Sequence, residues 1–393
     1  MTKNNRIYYA CQSVALAGPS GVNAPTNIKY TPIQGLQSVG INTNFNLEPI
    51  YQMGQLDLYE NFEDIPDVEV SLSKVLDGMP TIYSLAMGTG TLSNVAENRC
   101  SVRLTIHSDA SGTANSEAIA ACTIQPAYLS SVSYSFPSDG NFTEDVTIVG
   151  NNKSWSAAPG GLDDLDTGIQ NTTAGNTHVK QAKGHAPRFT DPNFGAGIVR
   201  RQMYDQDRSA LPTGAPTATT EADPFGVLTA TKISSNAGGI AHLSRIQSIS
   251  ISMDLGREEI YSLGSRLPYT RFVNFPVEVS CDIETIAHTG DMVGALESET
   301  ACSNPKALVD KEIKIQLCDG SYYDLGEKNK LQSVSYEGGD TGGGNATSTY
   351  SYLTYSHFTH VPANDSLAGS NVSASQFDYT DAISDTDFEA DAS

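Results

Sequence analysis

Histidines, cysteines and carboxylates are the residues of this chain that could perform chemistry, and their spacing limits what they can do. His357 and His360 stand three residues apart in a segment with strand-like alternation, so their side chains point to opposite faces. The six cysteines contain no CxxC pair, which argues against a zinc site and favours free thiols. Neither group predicts a bound metal or cofactor.

Three further patterns match known catalytic or binding motifs only in part. The acidic segment 163–168 lacks the distal glutamate that a calcium loop requires. The glycine-rich segment 338–344 has no following lysine and does not predict a phosphate-binding loop. No GxSxG motif occurs, and Glu69 and Glu278 lie in separate segments, unlike the paired carboxylates of a polysaccharide-cleaving enzyme. We therefore expect that the protein is not an enzyme.

Strands with one apolar and one polar face are the elements that must position these residues. In segments 36–47 and 246–256, apolar residues alternate with serine, asparagine or acidic residues, which is typical of half-buried strands. Segments 68–71 and 277–280 repeat the pattern, each with a glutamate on the polar face. Helical periodicity is weak throughout the chain.

Two long segments of the chain are copies of each other. Residues 36–66 and 246–276 align without gaps and share ten of thirty-one residues, where unrelated segments would share about two. After a one-residue slip the match continues and aligns Cys281 with Leu72, which predicts a small buried side chain at Cys281. The sequence therefore predicts a tandem duplication. A duplicated domain without a catalytic motif favours a part of a symmetric assembly over a free enzyme.

The duplication divides the chain into five parts and predicts a mainly β fold. The parts are an N-terminal arm (1–29), a first β domain (30–155), an irregular insertion or arm (156–235), a second β domain (236–362) and an acidic C-terminal tail (363–393). Each domain is expected to be sandwich-like or barrel-like. One short helix is expected in each, within 85–98 and within 294–308.

The overall composition excludes several classes of partner. The chain has 393 residues, 39% hydrophobic and 17% charged, which suits a globular β-rich protein. Its net charge of −22 argues against tight binding to nucleic-acid phosphates. No run approaches the roughly 18 apolar residues of a membrane span, and the first residues lack the apolar core of a signal peptide. We expect a protein made and folded in a cytoplasm, without a membrane partner.

The strongest candidate for function is the excursion between the duplicated strands, at 48–66 and 258–276. Each copy holds Glu, Ile-Tyr, Gly, Tyr, Phe and Pro at matching positions. One interpretation is a twisted hairpin that packs on its own domain. The other is a docking element, because tyrosine and phenylalanine bury large areas at low entropic cost. The candidate contact residues are Tyr51, Gly54, Tyr59, Phe62, Tyr261, Gly264, Tyr269 and Phe272.

Two segments resemble tail tube proteins of long-tailed bacteriophages. They are GQLDLYENFEDIPDVEV at 54–70 and GNFTEDVTIVGNNKSW at 140–155. The resemblance covers both duplicated domains and not the insertion or the tail. It implies tail-tube β domains whose strands join those of neighbouring subunits in a continuous inner barrel. Single-domain members form hexameric rings, so a duplicated member is expected to form trimers with pseudo-sixfold symmetry.

The resemblance also implies a location, a set of partners and a lumen. The protein would be a structural component of the virion tail, assembled in the host cytoplasm as stacked rings that form the conduit for DNA ejection. Its partners would be its own copies, other tail proteins and, in a contractile tail, a sheath, and DNA would pass without specific binding. The excursions would contact neighbouring subunits or stacked rings. Glu69 and Glu278 are the candidates for an acidic lumen wall.

A different class of function stays open at this point: a β-rich capsid decoration protein or an adhesin-type binding module. Carbohydrate-binding proteins usually display several aromatic platforms. This chain has one tryptophan, Trp155, but eighteen tyrosines.

Overall fold

The computed structural model describes a mainly β protein, as the alternation of apolar and polar residues predicts. The described residues are 7, 12–19, 30–33, 35–76, 80–88, 90–92, 95–107, 118–156, 246–265, 267–286, 313–316, 322–339 and 344–361. The strands are β1 (Gln12–Ala17), β2 (Thr31–Pro32), β3 (Leu36–Asn44), β4 (Leu47–Ile50), β5 (Glu60–Glu63), β6 (Asp67–Val75), β7 (Cys100–His107), β8 (Ala118–Pro137), β9 (Thr143–Gly150), β10 (Lys153–Ser156), β11 (Ile246–Asp254), β12 (Glu258–Ile260), β13 (Thr270–Phe272), β14 (Glu278–Ile286), β15 (Lys314–Gln316), β16 (Tyr322–Asp324), β17 (Lys330–Glu337), β18 (Thr347–Tyr355) and β19 (Thr359–Val361). One helix, α1 (Ile82–Met87), lies between β6 and β7.

Both halves of the chain belong to one antiparallel sheet of twelve strands. Eight of them follow one another in the order β3-β6-β9-β8-β11-β14-β18-β17. The halves meet where β8 pairs with β11, with Tyr134 opposite Ile251. Strands β7, β1, β2 and β10 extend the sheet from the N-terminal part of β8. The sheet is therefore continuous between two segments that the sequence places in separate domains.

The two halves pair their strands in the same way, beginning with β3–β6 and β11–β14. The first pair has a register shift between Leu36 and Ser38. The second pair has one between Ile246 and Ser248, at the same positions of the duplicated segment. A bulge inserts one residue into a ladder and kinks it locally. The β3–β6 and β11–β14 ladders therefore share an irregularity at matching residues of the aligned segments.

A second pair of ladders, β8–β9 in the first half and β17–β18 in the second, also has a bulge at matching positions. The β8–β9 ladder shifts between Leu129 and Ser131, and the β17–β18 ladder shifts between Leu331 and Ser333. Strands β3, β6, β9 and β8 of the first half therefore correspond to β11, β14, β18 and β17 of the second.

The register corrects one detail of the sequence alignment. Val39 lies opposite Leu72, while the corresponding Ile249 lies opposite Ile283, so Leu72 corresponds to Ile283. By the same register Cys281 corresponds to Val70, and its predicted match to Leu72 is wrong by two residues. A shift of two leaves every side chain on the same face of a strand, so the apolar pattern does not distinguish the two alignments. Cys281 is a buried free thiol.

The helix expected within 85–98 lies earlier in the chain, because α1 spans Ile82–Met87 and overlaps that range only at its end. Helix α1 begins after Thr81, whose hydroxyl accepts a hydrogen bond from Ser84 N, and ends at Gly88 with φ of 66°. A glycine in this left-handed conformation is a common helix terminator. The chain then turns to pair with β19 and its neighbours, as when Leu92 N donates to Phe358 O. The helix expected within 294–308 lies outside the described residues.

Strand β1 lies in the segment that was expected to be an N-terminal arm. It pairs with β7 along its whole length, and Val14 and Leu16 are buried in the core. Residues Gln12–Ala17 thus belong to the sheet of the first half.

A buried polar cluster joins α1 to the sheet. The Glu144 carboxylate accepts hydrogen bonds from Ile82 N at 2.7 Å, Tyr83 N at 3.0 Å and Tyr134 Oη at 3.0 Å. Lys74, also buried, donates to Pro80 O at 2.7 Å. Burial raises the pKa of Glu144, and the charge of Lys74 opposes this shift. The cluster satisfies the first backbone N–H groups of α1, which have no partner inside the helix.

His360 is buried beside this cluster, with its Nδ1 3.1 Å from Ser84 Oγ of α1, and predicts a pH dependence of stability. Burial, with the nearby charge of Lys74, lowers the pKa of His360 to about 3. The unfolded chain binds this proton near pH 6.5, so acid favours unfolding. The free energy of unfolding is expected to fall by about 2 kcal/mol more between pH 7 and pH 5 than in a His360→Gln variant. Denaturant titrations at both pH values measure this, and equal pH dependence in the two proteins contradicts it. Glu144 titrates in both proteins and cancels in the difference.

Candidate assembly surfaces

One face of the eight-stranded sheet is polar, and most of its charge is negative. Alternate positions on each strand point to this face and hold mainly serine, threonine, asparagine and acids. The acidic side chains there are Asp67, Glu69, Asp145, Asp254, Glu278, Asp282, Glu284 and Glu337. Among the described positions of this face, Lys330 on β17 is the one basic residue. A shallow groove of about 680 Å³ lies on this face and crosses both halves.

The predicted lumen residues Glu69 and Glu278 both lie on the polar face and are exposed. Strands β9, β8 and β11 separate their strands, so about 19 Å of sheet lies between them. Carboxylates that cleave a glycosidic bond stand within about 10 Å, so this pair does not form such a site. The register also shows that the two glutamates are not equivalent, because Ser280 corresponds to Glu69 and Asp67 to Glu278.

The duplicated excursions are two β-hairpins, β4–β5 and β12–β13, with equivalent antiparallel pairing. Gly54 and Gly264 form their turns with φ of 88° and 95°, a conformation that glycine adopts without strain. A Cβ atom at either glycine would meet nothing within 4 Å. Both turns therefore lie clear of the other residues that the structure describes.

Most of the predicted contact residues of the hairpins are exposed. The exposed fractions are 68% for Tyr51, 60% for Tyr59, 52% for Phe62, 56% for Tyr261 and 74% for Tyr269. Phe272 is half-buried. Such large aromatic side chains in water favour a docking function over packing on their own domain.

The two outer strands of the eight-stranded series, β3 and β17, each have one described strand partner. They correspond to β11 and β8, which pair with each other. Tyr134 of β8 is 1% exposed, but the corresponding Tyr336 of β17 is 51% exposed. Ile251 of β11 is fully buried, but the corresponding Ile41 of β3 is half-buried. The outer strands thus expose side chains whose equivalents on β8 and β11 are buried.

Arg257 holds the second hairpin against the first half of the chain. Its Nε donates to Leu129 O at 2.7 Å, and its Nη1 donates to Ala96 O at 3.1 Å. The guanidinium carbon lies 5.6 Å from the centre of the Tyr128 ring, in cation–π geometry. Burial lowers the pKa of Arg257 to about 10, which leaves it charged at neutral pH.

Arg271 makes a second set of contacts between the same parts. It donates from Nε and Nη2 to Asn151 Oδ1, at 3.2 and 3.0 Å. It also forms ion pairs with Glu259 of its own hairpin and with Asp67, the latter at 3.4 Å. The Arg271 side chain is only 8% exposed. The β8–β11 pairing and these arginine contacts together are called the internal junction below.

The sequence-based search for functional residues missed the internal junction. Its arginines stand where the aligned first copy has Leu47 and Asn61. The sequence does contain a signal for the junction: the second segment has arginine at two positions where the first has leucine or asparagine. It indicates that the two hairpins have different surroundings.

In the parts of the chain that the structure describes, no group of three His, Cys, Asp or Glu side chains could hold a metal ion. His357 is exposed whereas His360 is buried, so the two side chains lie in different surroundings. No described helix is long and apolar enough to cross a membrane. The acidic segment 163–168 lies outside the described residues.

Comparison with known proteins gives structural similarities only. No family model matches the chain, and no curated protein matches its sequence. The sheath/tube terminator of an extracellular contractile injection system (PVC) matches 40% of this chain over 100% of its own, with 14% identity and a TM-score of 0.30. The tail tube of SPP1 matches 39% of this chain over 81% of its own, with 10% identity and a TM-score of 0.27.

A crystal structure of an Hcp protein matches in a similar way, over 37% of this chain and 98% of its own, with 13% identity and a TM-score of 0.21. Scores below 0.5 carry no functional argument. The function is therefore inferred from the geometry of this chain.

Proposed function

We propose that the chain is a structural subunit that closes into rings, and that the rings stack into a tube. The observation that carries this is the β8–β11 pairing, which shows how one four-stranded unit joins the next. Strands β17 and β3 are the equivalents of β8 and β11 at the two ends of the series. Pairing β17 of one copy with β3 of the next would repeat the β8–β11 strand pairing between chains. It would also cover the two sheet edges, which otherwise invite uncontrolled association.

The proposed ring contains three chains. Each chain supplies two equivalent four-stranded units, so a trimer has six units and pseudo-sixfold symmetry. This number follows from the resemblance of 54–70 and 140–155 to tail tube proteins, whose single-domain members form hexameric rings. The same resemblance assigns the tube to the tail of a phage-like virion, with other tail proteins and, in a contractile tail, a sheath as partners.

The polar face is proposed to line the lumen, with Glu69 and Glu278 in the wall. Its eight acids against one lysine would repel the phosphates of DNA and keep the passage free of tight contacts. The opposite face is covered by the hydrophobic core, which leaves the polar face as the one available to a channel. The exposed hairpins would then reach neighbouring rings.

Purified protein is expected to form trimers of about 125 kDa, three times the chain mass of 41.8 kDa. Mass photometry measures this, and electron microscopy of concentrated samples should show rings or tubes with a central channel. Dispersed monomers would contradict the proposal. Globular spikes would instead indicate a decoration protein or an adhesin.

A further inference from the structure

The base of the first hairpin has a free surface where the base of the second is covered. Leu255, just before the second hairpin, is fully buried, and its N–H donates to Ser130 O in the internal junction. The corresponding Phe45 is 58% exposed. Leu47, in the position of Arg257, is also 58% exposed. An apolar surface of this kind on a water-soluble protein usually marks a contact with another molecule.

The second half of the chain has a matching free surface. In the internal junction, Arg271 binds Asn151 and Asp67 of the first half. The register of the ladders makes Tyr355 the equivalent of Asn151, and Glu278 the equivalent of Asp67. Tyr355 is 56% exposed, and Glu278 is exposed beside it on the adjacent strand.

We propose that the first hairpin base, formed by Phe45, Leu47 and Asn61, docks on Tyr355 and Glu278 of a second copy of this chain. This rests on the proposed function and names the residues of the contact between chains. The occupant is a second copy because the chain already shows the equivalent surfaces docked within itself. Transfer of the internal register places Ile41 of one copy opposite Tyr336 of the next.

The contact between chains differs in chemistry from the internal junction. Tyr128, whose ring contacts Arg257, and Lys330 each come just before the bulge of their ladder. Lys330 on β17 is therefore the equivalent of Tyr128 on β8. The second hairpin, with Arg257, would therefore meet a like charge on the second half of another chain. The first hairpin carries Leu47 there and meets no such repulsion. The arginines thus direct each hairpin to one half only, which is how paired surfaces gain specificity by excluding wrong partners.

The apolar part of this contact is tested by Phe45→Asp, with Leu56→Asp as its matched control. Leu56 is 103% exposed at the tip of the same hairpin, outside the proposed contact. Phe45→Asp should lower the fraction of trimer at least tenfold at micromolar concentration, because the carboxylate would be buried as Leu255 is. Leu56→Asp should keep the trimer. Equal effects of the two changes on trimer formation overturn the proposal, with folding of each variant checked by circular dichroism.

The polar part is tested by the charge at position 61. Asn61→Arg should pair with Glu278 of the next copy, as Arg271 pairs with Asp67, and Asn61→Glu should repel it. The dissociation constant of each contact between chains should fall roughly two- to fivefold for Asn61→Arg and rise by a similar factor for Asn61→Glu. In a Glu278→Arg background the order should reverse. Sedimentation equilibrium measures the constants, and an unchanged order in that background overturns the proposal.

These results separate two kinds of failure. If wild-type protein forms no rings, the proposed function fails. If wild-type rings form but neither Phe45→Asp nor the charges at position 61 affect them, only the proposed docking surface is wrong.

Discussion

Replacing Tyr59 and Tyr269 together by alanine is expected to stop rings from stacking into tubes while leaving each chain folded. The two side chains are 60% and 74% exposed and stand just before the second strand of each hairpin, so their loss removes little from the core. Burial of each in a contact between rings would stabilise it by roughly 1.5–3 kcal/mol. A trimer would lose six such contacts. Electron microscopy should therefore show single rings in place of tubes, with the trimer mass preserved.

Trp155→Ala serves as the control for this double variant. Trp155 is similarly exposed, at 55%, but lies on β10, outside both hairpins. Its replacement should leave tube growth unchanged. Normal polymerisation of the Tyr59 and Tyr269 double variant, or solvent around both hairpins in an assembled tube, would show that they are not the contacts between rings.

Glu144→Ala is expected to destabilise the fold by about 3–5 kcal/mol, the usual cost of breaking a buried charged group's contacts. The change would leave the N–H groups of Ile82 and Tyr83 without their acceptor. It would also leave Lys74 buried without the carboxylate that offsets its charge. Urea titration followed by circular dichroism measures the free energy of unfolding.

Asp145→Ala is the matched control, one residue further along the same strand. Asp145 points to the polar face and is exposed, so its removal should change the free energy of unfolding by no more than about 0.5 kcal/mol. A similar loss in both variants would show that the strand itself, and not the buried cluster, is sensitive to substitution at this point.

The strands could be predicted from the sequence because burial on one face leaves a period of two. Ile249, Ile251 and Met253 alternate with serines, and the structure buries all three in β11. The hairpins were also predictable, because the two aligned segments display the same pattern twice with a glycine at each turn. The exposure of Tyr59 and Tyr269 could not be predicted, since an aromatic residue in a hairpin packs inward or outward according to what covers it.

The register between strands could not be derived from the pattern alone. An alignment of Cys281 with Leu72 and one with Val70 bury the same face, and only hydrogen-bonded partners separate them. Helix α1 was misplaced because its stability comes from the Glu144 carboxylate, which is distant in sequence. The internal junction was missed for the same reason: Arg271 and Asn151 are brought together by the fold.

The β8–β11 pairing has a consequence for how ring formation depends on concentration. Because it joins two four-stranded units in one chain, half of the unit-to-unit contacts of a trimeric ring exist before any association. Each body that joins a ring loses translational and rotational freedom, at a cost of about 4–15 kcal/mol. Six separate units would need five such steps, but three chains need two. The equilibrium amount of ring then rises with the third power of the chain concentration rather than the sixth, so rings would form from far more dilute protein.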